Sequence, residues 1–311
     1  MTLNGSNNSA DCAPEDEWRE TEFRSPRYAG LETWPNREIL GALLGGQYQA
    51  LSAVAEALPS LEAAIDAAIV RLAGDTGRIV YVGAGTSGRL AVLDGIELTP
   101  TFGWPLERLE YLFAGGDAGL NHAIEGAEDD AGAGQSEIEA INPAPQDVVL
   151  GLAASGTTHY TRAAIQTARK AGSLTVTFAN NPNSPLLADA EFGVLLRTGP
   201  EVLSGSTRLG AGTSQKIALN LFSTTLMIGL NKVHQGHMVD MQASNQKLVL
   251  RAQRMVMEIT GCDPARATAA LEQCDYHTKL AVLIVEGHEK NAALSLLKRH
   301  NGNLAAALSD T

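Results

Sequence analysis

Between residues 78 and 197, five short runs rich in Val, Ile, Leu and Phe alternate with helical stretches. This alternation is the strongest constraint in the chain. The runs are RIVYV (78–82), LEYLFA (109–114), DVVLGLA (147–153), SLTVTF (173–178) and EFGVLLR (191–197). Helical patterns cover 88–98, 119–128, 158–171 and 183–188, and a long one spans roughly 211–231. An apolar run without polar alternation suits a strand covered on both faces, so the sheet is expected to be parallel and sandwiched by helices. The fold class that follows is α/β, a three-layer doubly wound parallel sheet.

The two ends read differently. Residues 1–20 are polar and acidic, with neither a basic leader nor an apolar stretch, and are expected to form a disordered tail. From Asn36 to Ala73 the pattern is helical, with Pro59 and Ser60 expected to open a second helix. From Arg251 onward, short helical units broken by Gly261, Gly287 and Gly302 suggest a small all-helical appendage. The expected division is therefore a tail over 1–20, a main domain over 21–250 and a helical unit over 251–311. Three cysteines (Cys12, Cys262, Cys274) at no metal-ligand spacing suit a reducing cytoplasm. No apolar run nears the roughly 18 residues of a membrane span.

The net charge of −12 weighs against nucleic acid as a partner. It also repels anionic small molecules, so any anion site must be built locally. The loop after the first strand, GAGTSG, holds a G-x-G-x-x-G at Gly83, Gly85 and Gly88. A dinucleotide fold wants an acidic residue about 20 positions on, at the end of the second strand. Asp117, inside a glycine-rich turn, is a poor match. Thr86 and Ser87 instead place two hydroxyls at a helix N-terminus, where N–H groups and the dipole favour an anion. Ser155, Gly156 and Thr158 repeat the chemistry after the third strand, and Ser206 in SGSTR repeats it before the long helix. Any one such loop could be a helix cap. Three at successive strand ends suggest one compact phosphomonoester.

These segments also carry a resemblance. GAGTSGRLAVLD, HAIEGAEDD, DVVLGLAASGTT, AGTSQK and ITGC resemble the N-acetylmuramic acid 6-phosphate etherases, of the sugar isomerase (SIS) superfamily, from about Thr21 to the C-terminus. The chain departs from the usual pattern at Ile96, Ser25 and Gly210. The resemblance implies a cytoplasmic lyase of cell-wall amino sugar recycling that cleaves the D-lactyl ether of its sugar phosphate, without metal or other cofactor. A homodimer is expected, also because IALNLFSTTLMIGL (217–230) exceeds one apolar stripe.

By the same resemblance Glu97 is the acid that protonates departing lactate, and Glu128 is the base that removes the C2 proton. Glu97 must carry a proton when it acts, and its neighbours Ile96, Leu98 and Pro100 are expected to supply apolar surroundings. Pattern alone reads Glu125, Glu128, Asp129 and Asp130 as a solvated helix face. Arg89, Arg208 and Lys216 are the basic residues best placed to meet a phosphate or a carboxylate. Competing readings are a sugar-phosphate isomerase, a non-catalytic sugar-phosphate regulator and a nicotinamide oxidoreductase.

Overall fold

The computed structural model describes residues 19–310. The expected tail lies outside the described residues up to position 18, and so does Cys12. Five parallel strands form one sheet: β1 (Ile79–Gly83), β2 (Leu109–Phe113), β3 (Val148–Leu152), β4 (Leu174–Ala179) and β5 (Phe192–Leu195). Their order is β2-β1-β3-β4-β5, and each falls on one of the five apolar runs.

Helices cover both faces, which is why the runs are mostly apolar and why even Thr175 and Thr177 of β4 are completely buried. One face packs Ile79, Tyr81, Leu150, Val176 and Phe178 against α1 (Asn36–Leu72), α2 (Gly85–Ile96), α3 (Leu98–Phe102) and α8 (Gly210–Gly229). The other packs Val80, Val82 and Val149 against α5 (Ala131–Ala140), α6 (His159–Lys170) and α7 (Pro185–Asp189). A separate apolar cluster runs from Val239 through α9 (Gln246–Thr260), α10 (Pro264–Gln273), α11 (Thr278–Val285), α12 (Lys290–Arg299) and α13 (Leu304–Ser309). Asp240, in this cluster, pairs at 2.7 Å with the almost fully buried Lys279 of α11 and joins the cluster to the end of α8 through Lys232 at 3.0 Å.

Two local expectations are corrected. Pro59 opens no second helix: α1 runs unbroken through it. Ala55, whose carbonyl loses its N–H partner there, lies on the same exposed side as Pro59, where water can serve it. The helix expected over 119–128 is also absent. Only α4 (Gly116–Asn121) forms, His122 is extended, and Gly126 turns left-handed (φ +73°) into a single 3-10 turn, Ala127–Asp129. The acidic cluster therefore occupies a bend rather than a helix face, and Asp130 caps α5 by accepting from Ala133 N–H at 2.9 Å. Sequence reading missed α5 because AGAGQSEIEA has little amphipathic signal. Its glycine at 134 serves packing: a Cβ there would stand 2.2 Å from the Tyr160 carbonyl oxygen on α6.

Candidate active site

The sheet order reverses direction at β1, with β2 on one side and β3 on the other. The loops after β1 and β3 therefore part and leave a crevice at the carboxyl ends of the strands. A cavity of about 580 Å³ occupies it, and its walls include Thr86, Ser87, Ser155, Thr158, Thr207 and Glu128. An order of 2-1-3-4-5 is also the mononucleotide-type winding rather than the dinucleotide one.

The glycines of the first loop are explained by packing. A Cβ on Gly83 would stand 2.7 Å from the Gly88 Cα, and one on Gly88 would stand 2.6 Å from the Phe113 ring. Strand and helix meet at backbone contact, and the hydroxyl pair Thr86–Ser87 is held at the crevice. Gly156 is fixed by conformation (φ +73°) and by Ser184, whose Cβ a methyl there would meet at 2.2 Å.

The alternative that these hydroxyls are helix caps is answered directly. Neither α2 nor α6 nor α8 has a side-chain hydrogen bond at its N-cap. Ser155 Oγ instead accepts from the N–H of Thr157 and from its hydroxyl, both at 3.2 Å, which shapes the loop itself. The first turns of α2 and α6 thus face the crevice with N–H groups and hydroxyls that no cap has claimed.

The third loop differs. The buried Glu201 carboxylate accepts from Gly210 N–H at 2.9 Å and Ala211 N–H at 2.8 Å, so the start of α8 already holds an anion. Burial pushes this carboxyl above its ordinary range, with the two N–H groups opposing the rise. The loop contributes Thr207 to the crevice, while Ser206, half-buried, stands one residue away from its wall.

An N-terminal strap closes this side. Thr21, completely buried, donates its N–H to Asn181 Oδ1 at 3.1 Å, and Gly205 N–H donates to the Thr21 carbonyl at 2.9 Å. Glu20 pairs with Arg197. The strap carries Arg19 and Glu22 to the crevice, and α6 adds His159 and Arg162, the latter tied to Asp189 at 2.7 Å. Sequence reading missed all four of these side chains. Their positions follow from the register of α6 and from a contact spanning 160 residues.

Comparison with known proteins locates this arrangement. Residues 61–169 match the model of the glucokinase regulatory protein N-terminal SIS domain. An N-acetylmuramic acid 6-phosphate etherase of Deinococcus radiodurans is 51% identical over 268 residues, covering 86% of this chain and 88% of that protein. The chain belongs to the N-acetylmuramic acid 6-phosphate etherase family. A second etherase, from Erwinia tasmaniensis, is 46% identical over 290 residues, covering 93% of this chain and 94% of the relative. Among solved structures, a phosphoheptose isomerase from Francisella tularensis is 16% identical, with a TM-score of 0.45 over 63% of this chain and all of that one.

The two glutamates that the etherase resemblance singles out stand apart. Glu128, in its 3-10 turn, lines the crevice, with the neighbouring Asp129 3.8 Å from His159 of α6. Glu97 lies at the opposite end of α2 from Ser87 and does not line the crevice. It opens instead onto a cavity of about 230 Å³ with Leu90, Leu93, Asp94, Lys216, Leu219 and Asn220. Of the residues expected to surround it with apolar groups, Leu98 is turned into the core. Ile96 is 54% exposed, and Pro100 is exposed too.

Asp94, one helical turn before Glu97, is committed elsewhere. It is buried and accepts from Tyr81 Oη (2.9 Å), Asn220 Nδ2 (3.1 Å) and Ser223 Oγ (3.1 Å). Burial raises its carboxyl above the ordinary range, and the three hydrogen bonds oppose the rise.

Arg89 does not reach the crevice either. It donates to the carbonyls of Leu120 (2.8 Å) and Gly119 (2.7 Å), and its guanidinium lies over the Phe113 ring. It braces the segment leading to Glu128. Arg208 is exposed, Lys216 shares the small cavity with Glu97, and Arg89 lines a neighbouring cavity of about 390 Å³ with Glu128.

Proposed function

We propose that this protein is a lyase that cleaves the D-lactyl ether of N-acetylmuramic acid 6-phosphate, giving N-acetylglucosamine 6-phosphate and D-lactate in cytoplasmic amino sugar recycling. The observation that carries the reading is the set of Ser and Thr hydroxyls at the starts of α2 and α6. They face one crevice and cap neither helix. Such an arrangement suits a phosphomonoester, and family membership supplies the rest of the substrate. Incubation with N-acetylmuramic acid 6-phosphate should release D-lactate, and failure to do so would refute the assignment.

In this mechanism Thr86, Ser87, Ser155, Gly156 and Thr158 hold the phosphate, with Ser206 supporting the third loop. The sugar opens to its aldehyde, which acidifies the C2 proton, and Glu128 removes it. Electrons flow toward C3, the C3–O bond breaks, and Glu97 gives its proton to the departing lactate oxygen. Glu97, now a carboxylate, takes a proton from the water that adds at C3. The C2 proton returns from Glu128.

The phosphate loop and Glu97 lie ten residues apart along α2, about 15 Å of helix axis, and line different cavities. We infer a homodimer in which Glu97 of one copy completes the crevice of the other. A single apolar stripe supports this: Leu40, Leu44, Tyr48, Leu51 and Leu58 on α1 are each at least 50% exposed, and Leu93 and Ile96 beside Glu97 are similar. The α8 segment contributes less, because Leu219, Phe222, Leu226 and Met227 are already buried in their own chain. Co-refolding Glu97→Gln with a Ser87→Ala/Ser155→Ala variant tests the arrangement. Random pairing restores one complete site in each mixed dimer, roughly a quarter of wild-type activity. No recovery would place the whole site within one chain.

A further inference from the structure

We propose that Lys216 seats the carboxylate of the lactyl group, with Leu90, Leu93 and Leu219 forming the wall for its methyl. The inference rests on the reading of Glu97 as the proton donor to the ether oxygen. That oxygen is bonded to the same carbon that bears the lactyl methyl and carboxylate. Wherever Glu97 reaches the ether, both groups must therefore lie within the space that Glu97 borders.

Glu97 borders two cavities. The larger, about 460 Å³, is lined by such residues as Thr101, Phe102, Thr224, Ile228 and Met238, and no Lys or Arg is among its wall residues. The smaller, about 230 Å³, holds Lys216 and three leucines. A cation beside an apolar wall matches a group made of one carboxylate and one methyl.

The need for that cation is electrostatic. The chain carries a net charge of −12, and both Asp94 and Glu97 line the small cavity. An incoming carboxylate meets like charge there unless a positive group stands beside it. Lys216 is near enough to Asp94 for its charge to favour that residue's ionised form. Asp94 is already served by Tyr81, Asn220 and Ser223, and makes no hydrogen bond to the lysine. The Lys216 ammonium donates to Asn220 Oδ1, one helical turn on. An ammonium has three N–H donors, so this bond orients the group and leaves two for a ligand. Asn220 thus bridges the buried carboxylate and the lysine.

The assignment predicts a change in specificity rather than a general loss. The test compares kcat/KM for N-acetylmuramic acid 6-phosphate with that for its lactamide analogue, in which the carboxylate is a neutral primary amide. Wild-type protein should prefer the acid, and Lys216→Met should reduce that preference about 10- to 100-fold, as loss of a charge-assisted hydrogen bond does. Lys216→Arg should recover part of it. Inhibition by N-acetylglucosamine 6-phosphate, which has no lactyl group, should be unchanged in Lys216→Met. An undiminished acid preference in that variant would overturn the assignment. So would equal weakening of product inhibition, which would put Lys216 on the phosphate. A wild-type protein that cleaves neither ether, releasing neither lactate nor lactamide, would refute the etherase reading itself, and the role of Lys216 with it.

Discussion

Tyr81, at the centre of β1, donates its hydroxyl to Asp94 on α2 at 2.9 Å, and both groups are buried. The bond ties β1 to the helix that carries Ser87 at one end and leads to Glu97 at the other. Burial, then the nearby Asp94 charge, pushes the Tyr81 phenol well above its ordinary value, so it remains a donor at all working pH. Tyr81→Phe should destabilise the protein by about 1.5–3 kcal/mol, the range for a hydrogen bond to a charged group. Urea unfolding with an unchanged m-value measures this. A change under 0.5 kcal/mol would show that Asn220 and Ser223 suffice for Asp94.

A second prediction concerns pH. Burial holds the folded Glu201 carboxyl above its ordinary value of 4.5. Below that value it is protonated in folded and unfolded chains alike. As pH rises, the unfolded chain ionises first, so the stability this group contributes is lost through its raised folded value. Glu201→Gln cannot ionise and keeps an acceptor for one of the two α8 N–H groups at every pH. Its stability relative to wild type should therefore increase between pH 4 and pH 7, read as the difference in urea midpoints. A constant difference would mean that the two N–H bonds fully offset burial.

Much of this architecture was legible beforehand. Each of the five parallel strands fell on an apolar run, because burial on both faces favours apolar side chains along the whole strand. The Thr86–Ser87 and Ser155–Thr158 loops were legible for the same local reason, a strand followed at once by hydroxyls and a helix. What escaped was non-local. Thr21 on Asn181, Glu201 on the start of α8 and Arg89 on the carbonyls before Glu128 each depend on a partner brought close only by folding. Pro59 misled because its helix-breaking effect depends on which face it occupies.

The phosphate loops should separate binding from stability. An N-cap serine costs about 1 kcal/mol when truncated, but Ser87 and Ser155 cap nothing. Ser87→Ala should change stability by less than about 0.5 kcal/mol while raising KM for the sugar phosphate with little change in kcat. A full capping-sized loss with unchanged KM would return the serine to a structural role.

Arg89 should behave in the opposite way. Its guanidinium braces the carbonyls of Gly119 and Leu120, upstream of Glu128. Arg89→Met should lower kcat about 10- to 100-fold through misplacement of Glu128, with a smaller effect on KM. Arg89→Lys, lacking the forked donors, should recover only part of the loss. If KM rises and kcat is spared, the arginine serves the phosphate after all.

The unbroken α1 has a further consequence. None of its residues before Ala50 is buried, so about 21 Å of rod, at 1.5 Å per residue, receives little support from its own chain. A helical segment of that length is marginal in water by itself. If a second copy shelters it, the quantity of helix in solution becomes a function of how much protein is present. Far-ultraviolet ellipticity per residue should then decline on dilution, well before the sheet domain unfolds, and catalysis should decline with it.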